Sequence, residues 1–476
     1  MGEPNILLVI LDSVRARNTS LHGYGNQTTP YLETLAEESQ VYEQARAPSI
    51  HSVSSHASIF TGLHVPEHGV TAHESELAPE STIWHELASE YGYATGLFSP
   101  NVVVTLSSNL ADAFETVDGP RGDVRYRLFE DALSPMDVEG HQTHTEYLRR
   151  CLNSEKPIRA ILNGFYFVNG GSDAGDVDES APVYIDSFLD WSASFDGPWA
   201  ACLNLMDAHY PYLPKSEFDE WGSKQLREIH RNVESPQSKS ITTSGDWWKL
   251  RAFESLYDGG IRQADAALQA LVDSLRARGE LDDTLLVVTS DHGEGFGEWS
   301  RLNRNTRLID HSWGIHEVLT HVPLLVRPPG GADGYRDDTL ASLTRFPEVV
   351  RETIADATPS FCVEDHALTS TYRLEEPTKV LPASVANREA YAGPWRAVYK
   401  KGNDGDVRKH AIQGSNVLSL EIPDAQSAVV YERAERDLVQ TTYDDLKSVN
   451  VRMDKRDNNV LDEEIEQKLE TLGYLR

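Results

Sequence analysis

Five short apolar runs, each ending on a turn or polar residue, constrain the fold most: NILLVIL (Asn5–Leu11), YATGLFS, WAACLNLM, TLLVVTS and VPLLVRP. Runs of this length without alternation read as strands buried on both faces. Between the third and fourth lies WKLRAFESLYDGGIRQADAALQALVDSLRARG. In it Leu250, Phe253, Leu256, Ile261, Ala264, Leu268, Leu271 and Leu275 fall near helical spacing, and Gly279 ends the pattern. Strands alternating with helices predict an α/β fold with a mostly parallel sheet covered on both faces. In such sheets ligands gather at the carboxyl ends of the strands, so the residues just past each run are the first candidates for chemistry.

A chain of 476 residues with 39% hydrophobic content can bury a large core, and its length predicts one large domain plus a smaller one. The large domain is expected over residues 1–350, with about 119–197 as a variable insertion that mixes polar helix-like pieces with the solvated loop GGSDAGDVDES. A smaller α+β domain is expected over 351–476. Alternating segments around AYAGPWRAVYKKGNDGDVRKHAI predict a hairpin turning at KKGNDGD, and EEIEQKLETLGYLR reads as a final helix.

The charge balance is extreme: 12 Lys and 31 Arg face 75 acidic residues, a net charge of -32. Such an excess disfavours nucleic acid and anionic membranes as partners and keeps a chain soluble by self-repulsion. Acid excess with scarce lysine matches a salt-adapted composition, the plainer alternative being an ordinary acidic enzyme. Cys151, Cys202 and Cys362 are far apart and form no paired motif, so they are expected to be packing residues. The N-terminal apolar run is about seven residues long and lacks a basic flank, and no other run approaches a membrane span. The expected compartment is the cytoplasm. Oligomeric state is not legible.

The first strand ends at Asp12-Ser13 and the fourth runs into TSDHGEG, placing Asp291 and His292 at another strand end. Read alone, Asp12 is as well suited to capping a helix as to holding a ligand. Two carboxylates and an imidazole form a mixed set suited to Mn, Mg, Zn or Ca. The stretch IHSVSSHASIFTG (residues 50–62) places serines Ser52, Ser54 and Ser55 just ahead of an apolar helix start. Backbone N–H groups there favour an anion such as sulfate or phosphate; the plainer alternative is that the serines merely cap the helix.

In order along the chain, NILLVILDSVRARNTSLHGYG, SVSSHASIFTGLHVPEHGV, MDAHYPY, TSDHGEGFGE, DHSWGIHEVLTHVPLLVRPPG and LETLGYLR resemble the sulfatase family of the alkaline phosphatase superfamily. The resemblance implies an alkaline-phosphatase-like α/β/α sandwich with a smaller C-terminal domain. It places Asp12, Asp291 and His292 on metal-ligand positions and Ser52 on that of the nucleophile, itself bound to the ion. His209 and His311 match positions that contact the transferred group or protonate the leaving oxygen, and His56, Asp207 and His209 are expected on the substrate. Two departures stand out. Ser13 replaces a second acid often found beside the first, and Ser54 and His56 replace the Pro and Arg of the signature read by formylglycine-forming enzymes. Ser52 is therefore expected to act unmodified.

The resemblance implies one divalent ion, calcium, manganese or magnesium, which lowers the Ser52 pKa for attack on a sulfate or phosphate ester and a covalent intermediate. His311 is the expected general acid. A second metal site would need more ligands than Asp258 and Asp265, the acids of YDGGIRQAD, supply. A transferase passing the group to a sugar or lipid would share every residue of this site. From another class, a catalytically silent binding protein could keep the same fold.

Overall fold

The structure, a computed structural model, describes residues 3–72, 75–120, 132–133, 144–154, 156–170, 179–233, 237–372, 381, 385, 388–402, 406–431 and 435–453. Its centre is an eight-stranded sheet. In chain order its strands are β1 Asn5–Leu11, β2 Gln40–Arg46, β3 Ala94–Phe98, β4 Thr116–Asp118, β5 Trp199–Leu205, β6 Thr284–Thr289, β7 Leu324–Arg327 and β8 Tyr335–Ser342. They lie in the order β8-β2-β7-β6-β1-β5-β3-β4. Every pairing is parallel except those of β7, which runs antiparallel to both β2 and β6.

The unbroken apolar runs have the predicted cause. In β1, Leu7, Val9 and Leu11 face one core while Ile6, Leu8 and Ile10 face the other. The first core is covered by the long helix Trp247–Arg278, which ends at Gly279 in the left-handed conformation (φ 73°), and by the helix Ala181–Ser192. The second is covered by the helices Ser52–Thr61, Ile83–Tyr91 and Phe346–Ile354. Ala181–Ser192 thus belongs to the core layer although it falls within the stretch expected as an insertion; its Tyr184, Ile185 and Phe188 are buried there. The loop residues 171–178 lie outside the described residues.

A second sheet, antiparallel throughout, is formed by β9 Ala367–Thr371, β10 Trp395–Lys401, β11 Val407–Gln413, β12 Asn416–Ile422 and β13 Val429–Val430. The expected hairpin is β10–β11, closed by Lys401 opposite Val407; its tip, 403–405, lies outside the described residues, as does the whole tail 454–476 expected as a helix. The helix Arg436–Asp444 packs Val439 and Tyr443 onto this sheet. The three cysteines are free thiols, two of them buried. No described helix is long and apolar enough to cross a membrane.

The long helix also ties the front of the chain to the core. Asp265 accepts from Tyr31 N (2.8 Å) and Leu32 N (2.9 Å), capping the short helix Pro30–Leu35. Burial pushes its carboxyl from the usual 3.8 up to about 7, against the pull of those two bonds. Such a group stabilises the fold most below its unfolded pKa, and the contribution is lost as pH rises through about 7. The stability of the protein relative to Asp265→Asn, from denaturant unfolding, is therefore expected to fall steadily between pH 4 and pH 8. A pH-independent difference would refute it.

Candidate active site

Three strand ends meet at one point. Asp12 follows β1 directly, its N–H held by the Leu205 carbonyl at the end of β5 (2.9 Å), while Asp291 and His292 come two and three residues after β6. All three side chains are fully buried. Asp12 Oδ2 accepts from Asn101 Nδ2 (2.8 Å) and Asn204 Nδ2 (3.1 Å), and Oδ1 accepts from Ser13 Oγ (3.0 Å). Ser13 sits at φ 63° and so supplies a hydroxyl to Asp12 where a second acid would stand. Burial alone would raise the Asp12 pKa, but His209, His292, the Asn204 amide and His56 hold it below the usual carboxylate range. Burial and the Asp12 charge together push Asp291 up.

The donors suit a cation. One ligand atom each from Asp12, Asp291 and His292 can lie within 4.8 Å of one another. His292 Nδ1 bonds to the Gly293 carbonyl (3.0 Å), which in the neutral ring puts the proton on Nδ1 and leaves the Nε2 lone pair for a ligand. Asp291 Oδ1 accepts from His292 N (3.0 Å) and, at 3.4 Å, from Ser13 N. Oδ2 lies 3.3 Å from His292 Nε2 and has no hydrogen bond of good geometry among the described residues. Two carboxylate oxygens and one imidazole nitrogen, buried and convergent, fit a divalent ion.

Ser52 opens the helix Ser52–Thr61, and its Oγ stands 3.2 Å from His292 Nε2. The helix-capping position is His51, whose side chain makes no capping bond, and the first turn carries no acid. The serines are therefore not the caps. Ser55 instead donates to the Asp291 carbonyl (2.6 Å), fastening the helix to the strand end that carries the metal-ligand candidates. His56 lies behind the nucleophile position rather than in front of it. It is fully buried, with Nδ1 bonded to the Ser52 carbonyl (2.8 Å), 3.7 Å from Asp291 Oδ2, and its ring edge-on to Phe60.

In front of Ser52 the imidazoles gather. The His311 ring lies 4.3 Å from that of His292, 5.3 Å from His209 and 6.3 Å from His51, centroid to centroid. His209 Nδ1 bonds to the Tyr210 carbonyl (2.6 Å). Asp207, from the same motif, has other engagements: Oδ2 accepts from Ala181 N (3.0 Å) at the start of the helix Ala181–Ser192, and Oδ1 from Gln263 Nε2 (2.6 Å). Asp258 is likewise occupied by Asn18, Tyr24 and Asn26, and Asp265 by its helix cap. Among the described residues no second metal-binding group accompanies the first.

A family model described as Sulfatase matches residues 4–351. The chain belongs to the sulfatase family. Among curated sulfatases, it is 22% identical over 340 residues to arylsulfatase K of Gallus gallus, an alignment covering 69% of this chain and 59% of that one. It is also 23% identical over 347 residues to the arylsulfatase of Clostridium perfringens, covering 69% of each. The chain thus spans about three-fifths of the length of the first of these sulfatases. In fold this sulfatase-family chain is similar to the phosphonate monoester hydrolase of Agrobacterium radiobacter, with a TM-score of 0.57 at 17% identity, covering 88% of this chain and 89% of that one. The alkaline-phosphatase-like fold, with its mostly parallel sheet and C-terminal antiparallel sheet, is the one the sequence motifs imply.

Three residues of the site, Glu294, Asn101 and Asn204, are missing from the set that sequence motifs point to. Glu294 is fully buried, with Oε2 3.6 Å from His311 Nδ1. Burial pushes its carboxyl up, against the pull of His209 and His292. Its signal is present: a third ionisable residue in TSDHGEG, between glycines. Asn204 is visible too, as the lone amide in an otherwise apolar strand. Asn101 carries no such signal.

Proposed function

We propose that the protein hydrolyses sulfate or phosphate esters, with unmodified Ser52 as nucleophile. The observation that carries this reading is the Ser52 hydroxyl at a helix start, 3.2 Å from His292 Nε2 and beside Asp12 and Asp291. A divalent ion held by Asp12, Asp291 and His292 would supply the Lewis-acid charge that lowers the serine pKa and offsets charge on the transferring group.

Ser52 Oγ attacks sulfur or phosphorus as its proton passes to the neighbouring Asp291 carboxylate. The bond to the ester oxygen breaks, and His311 gives that oxygen a proton. Glu294, close to His311 Nδ1, keeps the ring oriented for this. His209 and the backbone N–H groups of the first helical turn hold the equatorial oxygens, the electrostatic role that dominates such transfers. Water then attacks the Ser52-bound group, giving up a proton to His311; the bond to Ser52 Oγ breaks, Asp291 returns its proton to that oxygen, and sulfate or phosphate leaves. His56 fixes the start of the helix through the Ser52 carbonyl rather than touching substrate. With His56 and Ser54 in place of Arg and Pro, Ser52 remains a serine. Domain limits near residue 350, and a role for the middle segment in shaping access, belong to the same reading.

The test is a hydrolysis panel of aryl sulfate, phosphate monoester, phosphate diester and phosphonate ester, run with calcium, manganese and magnesium in high salt. Metal-dependent turnover of at least one ester is expected; none with any metal would overturn the reading. In the same panel His311→Ala is expected to lose more rate on alkyl than on aryl esters, because a poor leaving group depends more on the proton it receives. Equal losses would remove His311 as general acid.

A further inference from the structure

The residues assigned to the ester end at His311, and the loop that leaves this histidine runs straight into the core it shares with the C-terminal sheet. Just ahead of it Asp310, at φ 45°, and Gly295 exchange two backbone hydrogen bonds (both 3.0 Å), closing the base of a hairpin whose strands are Phe296–Trp299 and Arg307–Ile309. From His311 to His316 the backbone is irregular. Its buried carbonyls belong to no ladder and need partners of another kind.

The C-terminal sheet supplies them. Tyr399 of β10 and Lys409 of β11 are a directly opposed cross-strand pair, and both are buried. Lys409 Nζ donates to the Ile315 carbonyl and to Glu317 Oε1 (2.8 Å), and it lies 5.1 Å from the Tyr399 ring centroid. The Tyr399 hydroxyl donates to Glu317 Oε1 (3.1 Å) and is hydrogen-bonded to Thr320 Oγ1 (2.8 Å), so it touches both ends of the short helix Glu317–Thr320. Trp313, midway along the loop, stands edge-on to Tyr391 of the same C-terminal unit (centroids 4.9 Å apart) and donates from Nε1 to the Arg307 carbonyl (2.9 Å). The short helix also reaches the strand end beside the acid. Its Leu319 carbonyl accepts from Gly293 N (2.9 Å), between His292 and Glu294, where a Cβ would collide with the Val318 carbonyl.

Packing does not account for a lysine here. Lys409 and Arg46, the latter with Nη2 3.4 Å from Glu317 Oε2, share one carboxylate away from water, and desolvation offsets much of the attraction in such a group. An apolar side chain of the same length would fill the space. It would not carry a donor aimed at the Ile315 carbonyl, and that donor fixes the course of the loop four residues past His311. From this arrangement we infer that Lys409 and Tyr399 are positioning residues for His311: through the Ile315 carbonyl and the Glu317 carboxylate they hold the imidazole where it meets the leaving oxygen. The inference rests on His311 as the proposed general acid and adds what holds it in place. Misplacement of a reacting group by about 1 Å is enough to cost a large factor in rate.

The test compares kcat and KM on an alkyl and an aryl ester of the class the protein turns over best. Lys409→Met is expected to lower kcat about ten-fold on the alkyl ester and no more than about three-fold on the aryl ester, with KM nearly unchanged. Tyr399→Phe, which removes only a hydroxyl, should shift the ratio of the two rates the same way by about two-fold, and it carries the test should Lys409→Met fail to fold. A merely structural loss would lower the folded fraction and cut both rates by one factor. In a His311→Ala background, Lys409→Met should change the ratio no further, because the group it positions is gone. Equal losses on the two esters, an effect confined to KM, or a further change of ratio in the His311→Ala background would overturn the inference alone. Equal losses in His311→Ala itself, or turnover of no ester, would remove the general acid and the inference with it.

Discussion

Ser52→Ala is expected to lower turnover by a factor on the order of 10⁴ or more while leaving fold and metal content intact. The side chain removed is the hydroxyl 3.2 Å from His292 Nε2, and no other described serine stands in its place, since Ser55 is spent on the Asp291 carbonyl. The helix should survive. Ser52 is not its cap, and alanine is the better helix former at that position. Steady-state rates on the best ester of the panel, metal analysis and circular dichroism read the three parts separately. Retention of full activity would remove the nucleophile assignment. Mass spectrometry of the peptide containing Ser52 should return the mass of serine; the mass of formylglycine would show that the Ser54 and His56 departures do not block its conversion.

Asp12→Ala is expected to abolish metal binding and to cut turnover by at least about 10², beyond rescue by added metal. The effect has two sources. One anionic donor is lost, and the Asn101 and Asn204 amides that held it are left buried without their acceptor. Exhaustive chelation of the unaltered protein should produce the same loss of rate, in this case reversed when the metal is returned. A chelated protein that works at its full rate would show that the Asp12, Asp291 and His292 group has a structural use.

The two predictions rest on residues of different legibility. Asp12, Asp291 and His292 can be named because an apolar strand ends abruptly on each motif, and the end of a buried strand is where a side chain can face a ligand. Ser52 can be named only through the order of the family motifs, because a serine before a helix is locally indistinguishable from a cap. The structure separates the alternatives by giving the capping position to His51. Asp207 and His56 look like substrate contacts for the same reason of motif position. Asp207 is instead bonded to Ala181 and Gln263, and His56 is buried behind Ser52.

The fold divides along a similar line. Strands β1, β3, β5, β6 and β7 are readable because burial on both faces writes a continuous apolar run into the sequence. The segments QVYEQAR and YRDDTLAS of β2 and β8 are not, because their polar residues break the run and their pairing with each other spans nearly three hundred residues.

By itself, then, the sequence determined the sheet-forming segments, the long helix with its glycine stop, and which acids, histidine and serine could do chemistry. Hydrophobic pattern and motif order are local properties and survive without contacts. Only the tertiary structure decided which way those side chains point and what shares their space: Asn101 and Asn204 on Asp12, Glu294 beside His311, the rings of His292, His209 and His51 around that of His311, and an arginine stacked between tryptophans on the hairpin above them. The physical reason is that partners drawn from distant strands depend on sheet order and register, and no spacing along the chain encodes the distance between residues 12, 52, 209, 291 and 311.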